Sequence, residues 1–154
     1  MSIATSLDSD FILLNSPSVN REALFYEVNS LLCEKNIVEG TYLQALINRE
    51  ENNPTAMQLE TMGVAIPHVD IEHVKREQLV VVTCPEGITF KQAEDPDEEM
   101  TVHVIFFLLL KEKDAHIDFL MKLIGLFRQT EKMDAILKTH SPDEVKKLLE
   151  EVIN

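Results

Sequence analysis

The sequence has no tryptophan, only 4 glycines in 154 residues, and 2 cysteines. So few scattered glycines exclude the glycine-rich phosphate and dinucleotide loops, which need several at fixed spacing. No GxSxG elbow is present, so a Ser/His/Asp hydrolase has no nucleophile turn. Cys33 and Cys84 form neither a CxxC pair nor a disulfide framework. Each lies in an apolar stretch and is expected to be a small core residue. Cations are scarce too: 14 Lys+Arg stand against 27 Asp+Glu, a net charge of -13. Such a surface repels phosphate backbones and anionic lipids, which sets nucleic acid and membrane surfaces aside as partners. It suits fast encounter with a basic protein, and equally plain solubility. The longest strongly apolar run, 102–110, contains His103 and falls far short of the roughly 18–20 residues that span a bilayer. Residues 1–10 have no basic, apolar leader pattern, so a cytoplasmic protein is expected.

The chain is 45% hydrophobic and 27% charged, ample for a core, and its length suits a single domain over residues 1–154. Residues 11–14 form an apolar strand candidate closed by Asn15-Ser16-Pro17. Over 19–35, Val19, Ala23, Leu24, Val28, Leu31 and Leu32 recur at helical spacing. Thr41 can cap a second helix with Leu43, Leu46 and Ile47 on its apolar face. The run Glu50-Glu51-Asn52-Asn53-Pro54 is expected to break it. Residues 79–83 and 102–110 read as strands buried on both faces. Pro85-Glu86-Gly87 is turn chemistry, and 94–99 is an acidic loop.

Three helices are expected to follow. The first, 115–128, puts Ile117, Leu120, Met121, Ile124 and Phe127 on one face, and the second covers 131–138. The last starts at Ser141 as N-cap, with Pro142 and Glu144 behind it and Val145, Leu148, Leu149 and Val152 as its face. The expected fold class is α/β, a mixed β-sheet with helices packed on both faces.

The histidines carry the chemical interest. His103, inside a strand, and His140, in a turn, bring no reactive neighbours and read as structural. His68 ends the string Gly63-Val64-Ala65-Ile66-Pro67-His68. Pro67 fixes its own φ and restricts Ile66 to extended geometry, so the imidazole is expected at a defined place on the sheet rim. The competing reading is an ordinary strand-end histidine in water. His116 stands near a helix start, where free N–H groups suit an anion. Arg49 adds a permanent positive charge and Thr55 a hydroxyl. Two histidines, an arginine and a threonine form a sensible set around a phosphoryl group. A metal site built from His68, Asp70, Glu72 and His73 is the alternative, but their spacing is not HExxH and no cysteine joins them.

Arg49-Glu50, Pro54-Thr55 and the Gly63–His68 string resemble the fructose/mannitol type of EIIA domain of the bacterial phosphoenolpyruvate-dependent sugar phosphotransferase system. The likeness extends through Glu86-Gly87-Ile88-Thr89-Phe90 to His116-Ile117-Asp118-Phe119-Leu120 and the last helix. Residues 44–50 and 90–95 are similar to the galactitol-specific branch, and Val69 replaces the small residue usual after the histidine. The resemblance implies that phosphorylated HPr donates to His68, that a cysteine of EIIB accepts, and that the membrane EIIC carries the sugar. It implies supporting roles for His116, Arg49 and Thr55, with no metal or nucleotide cofactor. Two alternatives remain at this level: a regulatory, nitrogen-type EIIA, and an interaction domain without transfer.

Overall fold

Two long neighbouring strands organise the chain. The computed structural model describes residues 7–153, without the side chains of residues 113–116. Strands β4 (Gln78–Lys91) and β5 (Glu99–Leu109) pair antiparallel at the centre of a five-stranded sheet. β1 (Ile12–Leu13) lies parallel to β4 at one edge. On the other side β3 (Gly63–Ala65) runs parallel to β5, and β2 (Met57–Gln58) closes the edge antiparallel to β3. The order is β1-β4-β5-β3-β2, so the sheet is mixed, as expected.

Alternate residues on a strand face opposite sides. Val80, Val82, Ile105 and Phe107 join a core with α1 (Arg21–Glu34) and α2 (Tyr42–Asn52). Leu79, Val81, Val104 and Phe106 join a second core with α3 (Lys113–Phe127), α4 (Thr130–Lys138) and α5 (Pro142–Ile153). Both faces are covered, which is why these strands read as unbroken apolar runs. Phe25 meets Phe90 and Phe107 edge-on at 6.0 and 5.7 Å, and Phe106 meets Phe127 at 5.6 Å. Each such pair contributes about 0.5–1.5 kcal/mol beyond its buried area.

Several local expectations need correction. Phe11 belongs to a 3-10 turn, Ser9–Phe11, so the first strand shrinks to two residues. Val19 lies outside α1 and is exposed, because Asn20 caps the helix through Ala23 N–H (2.8 Å). Cys33 is exposed rather than in the core, while Cys84 is buried. Thr41 occupies the N-cap position of α2 without a capping bond; its hydroxyl meets His73 Nδ1 at 2.7 Å instead. α2 continues through Glu50 and stops at Asn53, where Pro54 begins to constrain the chain. On α3 the buried residues are Phe119, Leu123, Leu126 and Phe127, whereas Ile117 and Met121 are exposed. That helix is apolar around most of its circumference, so periodicity could not select its inner face. The last helix follows expectation: Ser141 Oγ accepts from Glu144 N–H at 3.3 Å, and Val145 and Leu149 are buried.

Pro85-Glu86-Gly87 is not a turn. β4 passes through it as an irregularity: Cys84 to Gly87 span the interval in which β5 advances by His103 alone. Extra residues on one side of a ladder form a bulge, and Gly87 supplies the positive φ, 85°, that it needs. Gly63 answers a different demand. A Cβ there would lie 2.0 Å from the Thr101 carbonyl oxygen, so its absence lets β3 approach β5.

Gly63→Ala should therefore destabilise the protein by about 1–3 kcal/mol through overpacking. Gly125→Ala on α3, where a Cβ meets nothing within 4 Å, should stabilise it by about 0.5–1 kcal/mol. Denaturant unfolding of both variants checks the pair of signs.

Candidate functional site

The His68 segment leaves the sheet in steps. The ladder of β3 ends at Ala65 rather than running to Pro67. Pro67 has no N–H to offer a neighbour. Its carbonyl still accepts Leu108 N–H at 3.1 Å, and His68 makes a single parallel bridge to Leu108. The rim histidine is therefore held against β5 by an isolated bridge instead of a continuous ladder. Its ring is half-buried, with Nδ1 at 2.8 Å from the Ile66 carbonyl oxygen. A carbonyl can only accept, so the neutral ring carries its proton on Nδ1 and keeps the lone pair on Nε2. The ring pKa is lowered, chiefly by burial, with the Arg49 charge acting in the same sense. The Ile66 bond and the Asp70 carboxylate oppose that shift.

Behind His68 lies a polar chain that connects α2 to the same segment. Glu50 is 1% exposed, one of few buried charged or polar residues. It accepts Thr55 N–H at 2.8 Å and Thr55 Oγ1–H at 2.9 Å. Thr55 Oγ1 in turn accepts Ile66 N–H at 3.1 Å. Ile66 thus gives its N–H to Thr55 and its carbonyl to His68. Burial pushes the Glu50 pKa up, while the Thr55 bonds and the Arg21 charge pull it back. Glu50 is expected from sequence only within the string Arg49-Glu50 and the helix break, with no role at the site. The signal was present: Tyr42, Leu46 and Glu50 recur every four residues on one helix face, and all three are buried.

Arg49, in the last turn of α2, reaches toward the same rim. Its Nη1 lies 3.1 Å from Asp70 Oδ1. A cavity of about 400 Å³ is lined by Arg49, His68, Val69, Asp70, Glu72 and Leu110, among others. A second, of about 230 Å³, is lined by Asn48, Arg49, Asn52, Asn53, Asp70 and His73, among others. The structure thus brings two predicted residues, His68 and Arg49, to one cavity and places Thr55 behind them, bonded to Ile66. His116 is the fourth residue of α3, and its side chain lies outside the described residues. Its helix follows β5, whose parallel neighbour β3 leads to His68, so both segments leave the same end of the sheet.

Of the residues of the metal alternative, His68, Asp70 and Glu72 border the same cavity, and Asp70, Glu72 and His73 have other partners. Asp70 pairs with Arg49, and Glu72 lies 3.8 Å from His73 Nε2. His73 Nδ1 is engaged by Thr41. Among the described residues no three of His, Cys, Asp and Glu converge on a metal-sized space. His103 and His140 make structural contacts: Gly63 N–H donates to His103 Nδ1 at 3.2 Å, and His140 Nδ1 meets Asn15 Nδ2 at 3.2 Å.

Comparison with known proteins gives a consistent result. The family profile described as "Phosphoenolpyruvate-dependent sugar phosphotransferase system, EIIA 2" matches residues 5–152. A galactitol-specific EIIA component of Escherichia coli (strain K12) is 27% identical over 119 residues, 77% of this chain and 79% of that protein. A mannitol-specific phosphotransferase enzyme IIA component of Staphylococcus aureus (strain N315) is 32% identical over 154 residues, covering 98% of each. The complex of enzyme IIA and phosphorylated enzyme IIB for mannitol from Escherichia coli superposes with a TM-score of 0.76. It has 24% identity and covers 93% of this chain and 96% of that one, so it speaks for the fold alone. Among the described residues no helix is long and apolar enough to cross a membrane.

Two outcomes follow from the geometry. Thr55→Val leaves Ile66 N–H without its acceptor and takes a donor from buried Glu50; it should cost about 1–3 kcal/mol in denaturant unfolding, with Thr55→Ser largely restoring it. His68 should titrate by NMR below the ordinary value of about 6.5. The unfolded chain then binds the proton more readily, so this group's contribution is complete above the ordinary value. It is lost as pH falls through the folded value.

Proposed function

The chain belongs to the EIIA 2 family of the phosphoenolpyruvate-dependent sugar phosphotransferase system, and on that premise we propose that His68 is its phosphoryl carrier. Its relatives are EIIA components, and the protein is a phosphotransferase of that class. The observation that carries the residue assignment is the His68 ring itself. Nδ1 is engaged by the Ile66 carbonyl, which puts the ring proton there and the lone pair on Nε2, in a residue that borders the cavity.

The lowered pKa keeps that ring neutral at cytoplasmic pH, with its lone pair available. In the first step Nε2 attacks the phosphorus of phosphorylated HPr; the Nε2–P bond forms as the donor's N–P bond breaks. The Nδ1 proton stays on the ring, against Ile66, so the phosphorylated ring is cationic and a good leaving group. In the second step a cysteine thiolate of EIIB attacks, an S–P bond forms, and the ring recovers its lone pair. Arg49 meets the charge of the transferring group, and His116, near the start of α3, takes the supporting role that the family resemblance implies. Thr55 acts at one remove, by holding Ile66. The acidic surface suits a basic donor protein.

The relatives' specificities support a polyol cargo, galactitol or mannitol, delivered through EIIB to a membrane EIIC. The sugar does not enter this site, so the cavity carries no argument between the two. The regulatory reading is distinguished by the second step: a regulatory EIIA takes the label and does not feed a transporter's EIIB.

Incubation with phosphoenolpyruvate, enzyme I and HPr should add one acid-labile phosphoryl group by intact mass, and His68→Ala should add none. A His68→Ala protein that labels fully would sink the assignment. Arg49→Ala and His116→Ala should each slow transfer to EIIB by about 10²–10³-fold while leaving a detectable phosphorylated form. Rates within a few-fold of the parent would remove both from the site.

A further inference from the structure

The least explained contact at the rim is the one between Arg49 and Asp70. Resting on the reading of His68 as phosphoryl carrier, we propose that Asp70 is a positioning residue. It holds the Arg49 guanidinium before phosphorylation, and it keeps the phosphorylated form readily discharged afterwards.

Arg49 Nη1 bonds Asp70 Oδ1 at 3.1 Å, with the arginine side chain 38% exposed and the aspartate 71%. The two residues border the cavity that contains His68. Asp70 stands two positions beyond His68 and belongs to no secondary-structure element, whereas Arg49 stands on the last turn of a helix. The carboxylate therefore sets where the guanidinium waits in the unphosphorylated protein. The pair is exposed, so it is screened and weak, and the arginine can leave it for a more highly charged anion. A phosphoryl group on Nε2 is such an anion, and the planar fork matches its oxygens.

Once Arg49 turns to the phosphoryl group, Asp70 loses its cation and faces added negative charge. Asp70 is the carboxylate at the cavity that is paired with Arg49, so it bears the larger part of this change. Like charges raise the energy of the phosphorylated state relative to the empty one. Asp70 thus makes His68 a poorer resting place for the group and a better donor to the next protein. The balance of each transfer is unchanged: one bond to phosphorus forms as another breaks. Only the equilibrium between carriers moves.

The test uses the whole chain and purified HPr. Parent, Asp70→Asn and Asp70→Glu are each equilibrated with a limiting amount of phosphorylated HPr, and the division of label is read by intact mass. Asp70→Asn keeps the shape and removes the charge, so the equilibrium should move toward the phosphorylated protein by about two- to tenfold. Asp70→Glu should stay near the parent. In the unphosphorylated proteins, the Arg49 guanidinium resonance should shift in Asp70→Asn and be restored in Asp70→Glu. An Asp70→Asn equilibrium equal to the parent's, or displaced toward phosphorylated HPr, would overturn the proposal. A parent that takes no label would instead overturn the carrier reading of His68, so the two failures are told apart.

Discussion

The Thr55 hydroxyl is the joint on which the rim depends. It donates to the buried Glu50 carboxylate and accepts from Ile66 N–H, so one oxygen links the end of α2 to the segment that bears His68. Neither partner would be well placed without it. Glu50 is taken out of water and needs donors to offset that loss. Ile66 has left the ladder of β3 and needs an acceptor for its N–H. The carbonyl of the same Ile66 then orients the His68 ring. The chain Glu50, Thr55, Ile66, His68 converts helix packing into the tautomer of an imidazole. Packing holds the other end: Tyr42 and Leu46 bury the same face of α2 that carries Glu50.

Electrostatics work against the average of the molecule. A net charge of -13 would ordinarily favour a protonated histidine. At His68 burial outweighs that tendency, with Arg49 as a local cation in support. In the proposed mechanism this local inversion lets an acidic protein receive an anionic group. The acidic exterior and the site then have separate tasks, one in meeting a basic protein and the other in holding the phosphoryl group.

How much was legible beforehand varied with the kind of signal. The two central strands were read correctly because burial on both faces leaves no polar alternation to confuse the pattern. Pro85-Glu86-Gly87 was misread as a turn because proline and glycine mark bulges as well as turns, and only the register against His103 separates the two. The inner face of α3 was misassigned because Ile117, Met121 and Ile124 are as apolar as the residues that are buried. Glu50 was missed as a site residue because a charge beside Asn-Asn-Pro looks like surface. Its burial is a property of what packs over it, not of its neighbours in sequence.

The sequence by itself determined which residues are the candidates at the rim. Pro67-His68, Arg49 and Pro54-Thr55 are local strings, and their chemistry can be named before any fold is known. The α/β class was equally local in origin, since helical and strand periodicities are set within a few residues. Only the tertiary structure decided which ring nitrogen the Ile66 carbonyl engages, which carboxylate holds Arg49, and what stands behind Thr55. Those depend on contacts between residues far apart in the chain, such as Leu108 with Pro67 and Asp70 with Arg49. Hydrogen bonds need distances right to a few tenths of an ångström, and that precision arises when the strands and helices pack against each other.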